Sequence, residues 1–194
     1  MNACRIRRRG LPAGLLLMLT LLCALAMPAA ALAAFRVQQV TPYLEQGVWF
    51  LDASINYRLS PEALEALVNG VPLTVLTQIQ VRRVGAWIWE DSLVDLQTRQ
   101  AIRYRPLSDR HEVYTLPDTG RRGFVTREAA LRALGEVRRL ELLPAARLAP
   151  DTDYEIHIRV ALDPEELPLP LRPLAYLKRA WKLSSGWTTW PLRP

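Results

Sequence analysis

The chain has 194 residues, 25 Lys and Arg against 19 Asp and Glu, and a formal net charge of +6. Four of those cations, Arg5, Arg7, Arg8 and Arg9, precede residue 34 with no acid among them, so the remainder carries 21 against 19, a net +2. A near-neutral body of about 160 residues suits one domain with a real core. It removes the main support for nucleic-acid binding, which rests on clustered phosphate neutralisation.

The N-terminus reads as an export signal. Its basic start is followed by the apolar run Leu11 to Met27 and then by the small residues Pro28 to Ala34. That order is the signature of a secretory signal peptide. Ala31-Leu32-Ala33 has the small-x-small form that signal peptidase accepts, which places the cut after Ala33, with Ala34 as the second choice. The expected organisation is a signal peptide over 1–33 and a single β-rich periplasmic domain over 34–194. The alternative is an uncleaved inner-membrane anchor, for which the 17-residue run sits at the lower limit of spanning length. Export and cleavage would remove both cysteines, Cys4 and Cys23, leaving a thiol-free body with no disulfide. Lipidation at Cys23 is disfavoured because Leu22, not a small residue, precedes it. The Arg7-Arg8-Arg9 cluster lacks the following large apolar residue that twin-arginine export wants.

Downstream the period is mostly two. Trp49, Leu51, Ala53, Ile55, Tyr57 and Leu59 keep one parity and predict a strand with one buried face. Ser60-Pro61-Glu62 then predicts a helix start: a capping hydroxyl, a proline at the first helical position and an acid facing the dipole. The helix should stop at Asn69-Gly70, where a left-handed cap is available. Leu73, Val75, Thr77, Ile79 and Val81 alternate with Thr74, Gln78, Gln80 and Arg82 in a second strand. Val94, Leu96, Ile102 and Tyr104 keep parity through a third. Pro117-Asp118-Thr119-Gly120 predicts the turn of a hairpin between 111–116 and 123–125.

A second helix is expected after Thr126. Its stripe would be Ala130, Leu131, Leu134 and Val137, with Arg127, Arg132, Glu136 and Arg139 outside. Gly135 would then weaken it by about 1 kcal/mol relative to alanine. Leu148 to Tyr154 looks like the tyrosine-corner approach of fibronectin type III and immunoglobulin-like sandwiches, in which a strand-start tyrosine bonds back to the preceding loop. Tyr154, Ile156, Ile158, Val160 and Leu162 give the clearest alternation of the chain. Asp163 to Pro173 holds four prolines and predicts an extended crossing segment packed by Leu167, Leu169 and Leu171. A last strand is expected between Trp181 and Trp190. Alternation of this kind points to antiparallel sheets with one solvated face. The expected fold class is mainly β (α+β), an antiparallel sandwich-like domain with two short helices in its connections.

Residues that could carry chemistry are few. His111 and His157 are the only histidines. Neither neighbours a serine or cysteine in a nucleophile pattern, and no Gly-x-Ser-x-Gly elbow occurs. The sequence implies no metal site and no cofactor: the body lacks cysteine and paired histidines. Asp151 and Asp153 read better as turn and capping residues than as calcium ligands. Glu90-Asp91 and Asp163, Glu165 and Glu166 are carboxylates that a glycoside hydrolase could pair. Trp49, Trp87, Trp89, Trp181, Trp187 and Trp190 could fill the core, or stack on sugars or seat in a membrane interface if exposed. Lys178, Arg179 and Lys182 beside Trp181 would suit an anionic surface.

Several stretches together resemble a known family. They are Leu59-Ser60, Glu65 to Leu73 with its helix–Asn-Gly–Val-Pro-Leu join, Trp87-Ile-Trp89, Ala130-Leu131 to Leu134-Gly135, Leu162-Asp163, Leu167 to Arg172, and Trp181 with Leu183-Ser184-Ser185. The chain is similar over about 35–190 to a family of uncharacterised exported proteobacterial proteins labelled a domain of unknown function, number 4390 in that series. The resemblance implies a signal peptide and a single domain, and it brings no activity and no site residue. Function remains a choice among three readings. The first is a non-enzymatic envelope module that binds a protein partner. The second is a periplasmic glycan or small-ligand binder using tryptophan faces. The third is a carboxylate-based hydrolase acting through Glu90, Asp91 and Glu165.

Overall fold

The computed structural model describes residues 35–87, 91–117 and 119–193. Ala33, Ala34, Trp89, Glu90 and Asp118, and with them the export segment, lie outside the described residues. The unit Ala33–Pro194 is compact by itself and contains all the packing described below.

Among the described residues nine strands form two antiparallel sheets. The small sheet has the order β1-β2-β7: β1 is Phe35–Glu45, β2 Val48–Tyr57 and β7 Glu136–Pro144. The large sheet has the order β6-β5-β4-β3-β8-β9. Its strands are β3 (Leu73–Arg83), β4 (Val94–Arg105), β5 (Arg110–Thr115), β6 (Thr119–Phe124), β8 (Tyr154–Leu162) and β9 (Ser184–Leu192). The sheets pack face to face, with β1 against β8 and β9 and β7 against β4. This is the mainly β, sandwich-like architecture that the alternation implies.

The alternating runs are the strands, and their apolar parity is the core. Tyr154, Ile156, Ile158, Val160 and Leu162 of β8 are all buried, as are Leu73, Val75, Ile79 and Val81 of β3 and Leu51, Ala53, Ile55 and Tyr57 of β2. Phe35 meets Tyr57 edge to face at 4.9 Å. The tyrosine corner is formed: the Tyr154 hydroxyl accepts a hydrogen bond from the Ala149 amide at 2.9 Å.

Helix α1 (Pro61–Val68) starts as its sequence dictates, with the Ser60 hydroxyl accepting from the Ala63 amide at 3.1 Å. It ends at Asn69, and Gly70 takes φ +80°, the left-handed conformation that favours glycine. Helix α2 (Arg127–Leu134) is capped by Thr126, which accepts from the Ala129 amide at 3.2 Å.

Three expectations are corrected, and two strands are added. Helix α2 stops at Gly135, so Glu136, Val137 and Arg139 belong to β7. Gly135 is there for close approach and not as a weak helical position. Its carbonyl accepts from the Ile55 amide at 2.9 Å, and a Cβ at this residue would stand 2.0 Å from the Ile55 carbonyl oxygen. The proline segment is not an extended strip: it folds into 3-10 turns at Pro164–Glu166 and Leu169–Leu171 and a third helix, α3 (Arg172–Leu177). Those turns bury Leu167 but leave Leu169 73% exposed. Finally, β1 and β7 are strands that the alternation does not reveal. Each carries bulges, between Val37 and Gln39 in β1 and opposite Leu51 to Ala53 in β7, and a bulge breaks the two-residue period.

Candidate functional site

The residues marked by the sequence do not converge. His157 stands half-buried on the outer face of β8, where its Nε2 lies 2.7 Å from Glu155 Oε1. His111 is on β5, with its ring 4.8 Å from that of Tyr104. Burial and the nearby Arg127 hold its pKa below the usual 6.5, against weaker opposing pulls from Asp109 and Glu128.

The carboxylates are also dispersed. Asp163 is buried and fully engaged: Oδ2 accepts from Arg99 Nε at 3.1 Å and Oδ1 from the Glu165 amide at 3.0 Å. Its own amide bonds to Thr74 at one end of β3, whereas Leu93, two residues after Asp91, bonds to Val81 at the other end. Seven strand steps separate those ends by roughly 20 Å, well beyond the spacing at which two carboxylates share one glycosidic bond. Asp151 takes φ +57° in the turn before β8, and the Asp153 carbonyl accepts from the Val84 amide. Asp151 is a turn position, and Asp153 extends the β3–β8 pairing by one step. Among the described residues no group of three His, Cys, Asp or Glu could hold a metal ion. None of their helices is long and apolar enough to cross a membrane.

The tryptophans divide. Trp49 and Trp181 are core residues and Trp190 is half-buried against the core. Trp187 is exposed on the outer face of β9 opposite Arg159, and Trp87 is exposed after β3.

The site with the most to offer is one the sequence reading missed. Among the described residues β7 pairs only with β2, so its other edge is open. Beside that edge lies a cleft of about 330 Å³ between the two sheets. Its floor is the inner face of the large sheet, made there by Thr77, Ile79, Thr98 and Gln100; one wall is Val137 and Leu140 of β7. These two apolar residues both face inward, three positions apart, because Arg138 and Arg139 form a bulge between them: Val137 pairs with Ala53 and Leu140 with Leu51. Arg139 takes φ +48°, and its amide donates to Asp52 Oδ1 at 2.7 Å. Its guanidinium lies 4.8 Å from the Phe50 ring and pairs with Glu45 at 2.6 Å. The bulge is therefore fastened to the outer face of the small sheet. At the far side Arg122 donates to the Ala133 carbonyl at 3.2 Å and ties β6 to the end of α2.

A second hollow, about 420 Å³, lies on the outer face of the small sheet and is lined by polar groups such as Ser54, Asn56, Glu128 and Arg132. Gln38 of β1 and Glu136 of β7 also line it, but it has no apolar wall like that of Val137 and Leu140. The inter-sheet cleft combines three elements: a strand edge without a neighbour, an apolar wall and a floor of hydroxyl and amide groups. Those are the elements of strand addition, in which main-chain hydrogen bonds hold an extended segment and alternate side chains enter pockets.

No curated protein and no solved structure matches this chain. A family model described as "Domain of unknown function (DUF4390)" matches residues 33–191. That span covers most of the sequence, and the chain belongs to this family.

Proposed function

We propose that this protein is an exported, non-enzymatic envelope module that binds a partner protein, taking an extended segment of that partner along the open edge of β7. The observation that carries the reading is the unpaired edge of β7 over the Thr98 and Gln100 floor. Exposed strand edges are avoided or covered in folded proteins because they template pairing. Here the bulge limits the edge to a short stretch while turning Val137 and Leu140 toward any occupant. The export proposal rests on the basic, apolar and small segments of residues 1–34 and places the module in the periplasm.

The glycan reading has less behind it, because the two exposed described tryptophans sit on different elements. The hydrolase reading has less again, because Asp91 and Glu165 lie at opposite ends of the large sheet.

Gln100 and Gln97 lie on the same strand and on opposite faces, with Gln97 exposed on the outer one. A photocrosslinking amino acid at Gln100 should trap an adduct of defined mass in intact cells, and the same group at Gln97 should not. Thr98→Trp, which fills the cleft, should abolish the Gln100 adduct. Equal trapping from both positions, or none from Gln100, would overturn the proposal. Export has its own readout: the native product should begin at Ala34, and one beginning at Met1 in the cytosol would contradict it.

A further inference from the structure

The C-terminal part of the chain has an unusual charge distribution. Glu166 is its last acid, yet Arg172, Lys178, Arg179, Lys182 and Arg193 follow. Lys178 and Lys182 are the only lysines of the whole sequence. The preceding stretch, from residue 34 to 166, carries 16 cations against 19 acids. Three of these five cations, Lys178, Arg179 and Lys182, fall within five residues of one another.

That region also displays apolar surface. Between residues 168 and 182 the exposed residues are Pro168, Leu169, Pro170, Pro173, Leu174 and Tyr176, then Leu177, Lys178, Arg179 and Lys182. Every one is apolar, aromatic or cationic. Leu177 is 80% exposed and Leu169 73%. This exposure is built in, because the segment is pinned from beneath. Leu167, Ala175, Trp181 and Leu183 are buried, and Arg172 Nε donates to the Leu167 carbonyl at 2.8 Å. Helix α3 is closed by the Lys178 amide on the Leu174 carbonyl at 2.9 Å. No described carboxylate pairs with Lys178, Arg179 or Lys182. A folded protein rarely leaves such a patch without a partner surface.

We propose that residues 168–182 form a contact for an anionic lipid bilayer. Leu169, Leu174, Tyr176 and Leu177 would enter the headgroup boundary, and Lys178, Arg179 and Lys182 would meet lipid phosphates. Charge complementarity selects this occupant: apart from the Tyr176 hydroxyl, the exposed polar side chains of 168–182 are all cationic, with the exposed acids Glu165 and Glu166 lying just before the segment, whereas a protein partner would be matched by mixed polar groups. The contact is separate from the β7 cleft and does not depend on it.

The exported product, residues 34–194, is cosedimented with vesicles of phosphatidylcholine alone and with vesicles that also contain phosphatidylglycerol. It should bind only the second, and less as salt rises. The combined substitution Lys178→Gln, Arg179→Gln, Lys182→Gln should lower partition roughly a hundredfold. Leu174→Ser with Leu177→Ser should also weaken it, whereas Arg36→Gln, Arg58→Gln and Arg103→Gln, exposed elsewhere, should leave it unchanged. Thermal unfolding of each variant confirms that its fold is kept. Equal binding to both vesicles, binding to neither, or equal loss in the two triple variants would overturn the proposal.

Discussion

Strands β8 and β7 are both nine residues long, and they have opposite characters. β8 is paired on both sides, by β3 and β9, and buries every second side chain. β7 is paired on one side, is interrupted at Arg138 and Arg139, and leaves Val137 and Leu140 half-buried. One strand is a finished structural element, and the other has the features of a surface waiting for a neighbour. Stability should reside in the first and binding in the second, since regions that open or dock are drawn from the less stable parts of a fold.

Substitutions can break or sharpen this contrast. Ile158→Ala removes a fully buried side chain from the centre of β8 and should cost about 4 kcal/mol in denaturant unfolding. Gly135→Ala tests the close approach at the start of β7. Its Cβ would collide with the Ile55 carbonyl, and forcing the backbones apart should cost about 3 kcal/mol. A neutral result would mean that the join between α2 and β7 is looser than the geometry implies.

Tyr154→Phe deletes only the hydroxyl that holds Ala149 and should cost about 1 kcal/mol. Val137→Ala, in the unfinished strand, should cost about 0.5 kcal/mol in the isolated domain while reducing partner capture. A loss as large as that of Ile158→Ala would erase the distinction between the two strands.

The subtlest effect is one of pH. Because the folded protein holds the His111 pKa below 6.5, the unfolded chain takes up that proton first as pH falls. Stability should be flat in this respect above 6.5 and should decline below it, until the lower native pKa is passed. Thermal scans of His111→Gln should lack that slope. Glu112 acts in a separate, more acidic window. Burial raises its pKa, but the hydrogen bonds from Arg105 and Arg121 outweigh this and bring it below 4.5. Its contribution is therefore present above 4.5 and is lost as pH falls through the lower native value.

What the sequence shows of the fold follows the same contrast. β8 is legible because nothing interrupts its parity from Tyr154 to Leu162. β7 is not, because its bulge places two residues against one and returns Leu140 to the face of Val137. The spacing Ala130, Leu134, Val137 continues a helical stripe across Gly135, so the strand start reads as helix. Only the approach of Gly135 to Ile55, far away in sequence, ends that helix. The proline segment misleads in another way. Leu167, Leu169 and Leu171 look alike in an extended chain, but 3-10 turns send Leu169 outward. The cleft has no sequence signature, since it consists of the space beside β7 where another strand could lie.

Backbone hydrogen exchange on the isolated domain and on the complex trapped through Gln100 tests the central claim most directly. In the isolated domain the β8 amides should exchange slowest and the outward amides of β7 quickly, and in the complex those β7 amides should become protected. Protection of β7 equal to that of β8 before any partner is bound, or no gain of protection in the complex, would contradict the account.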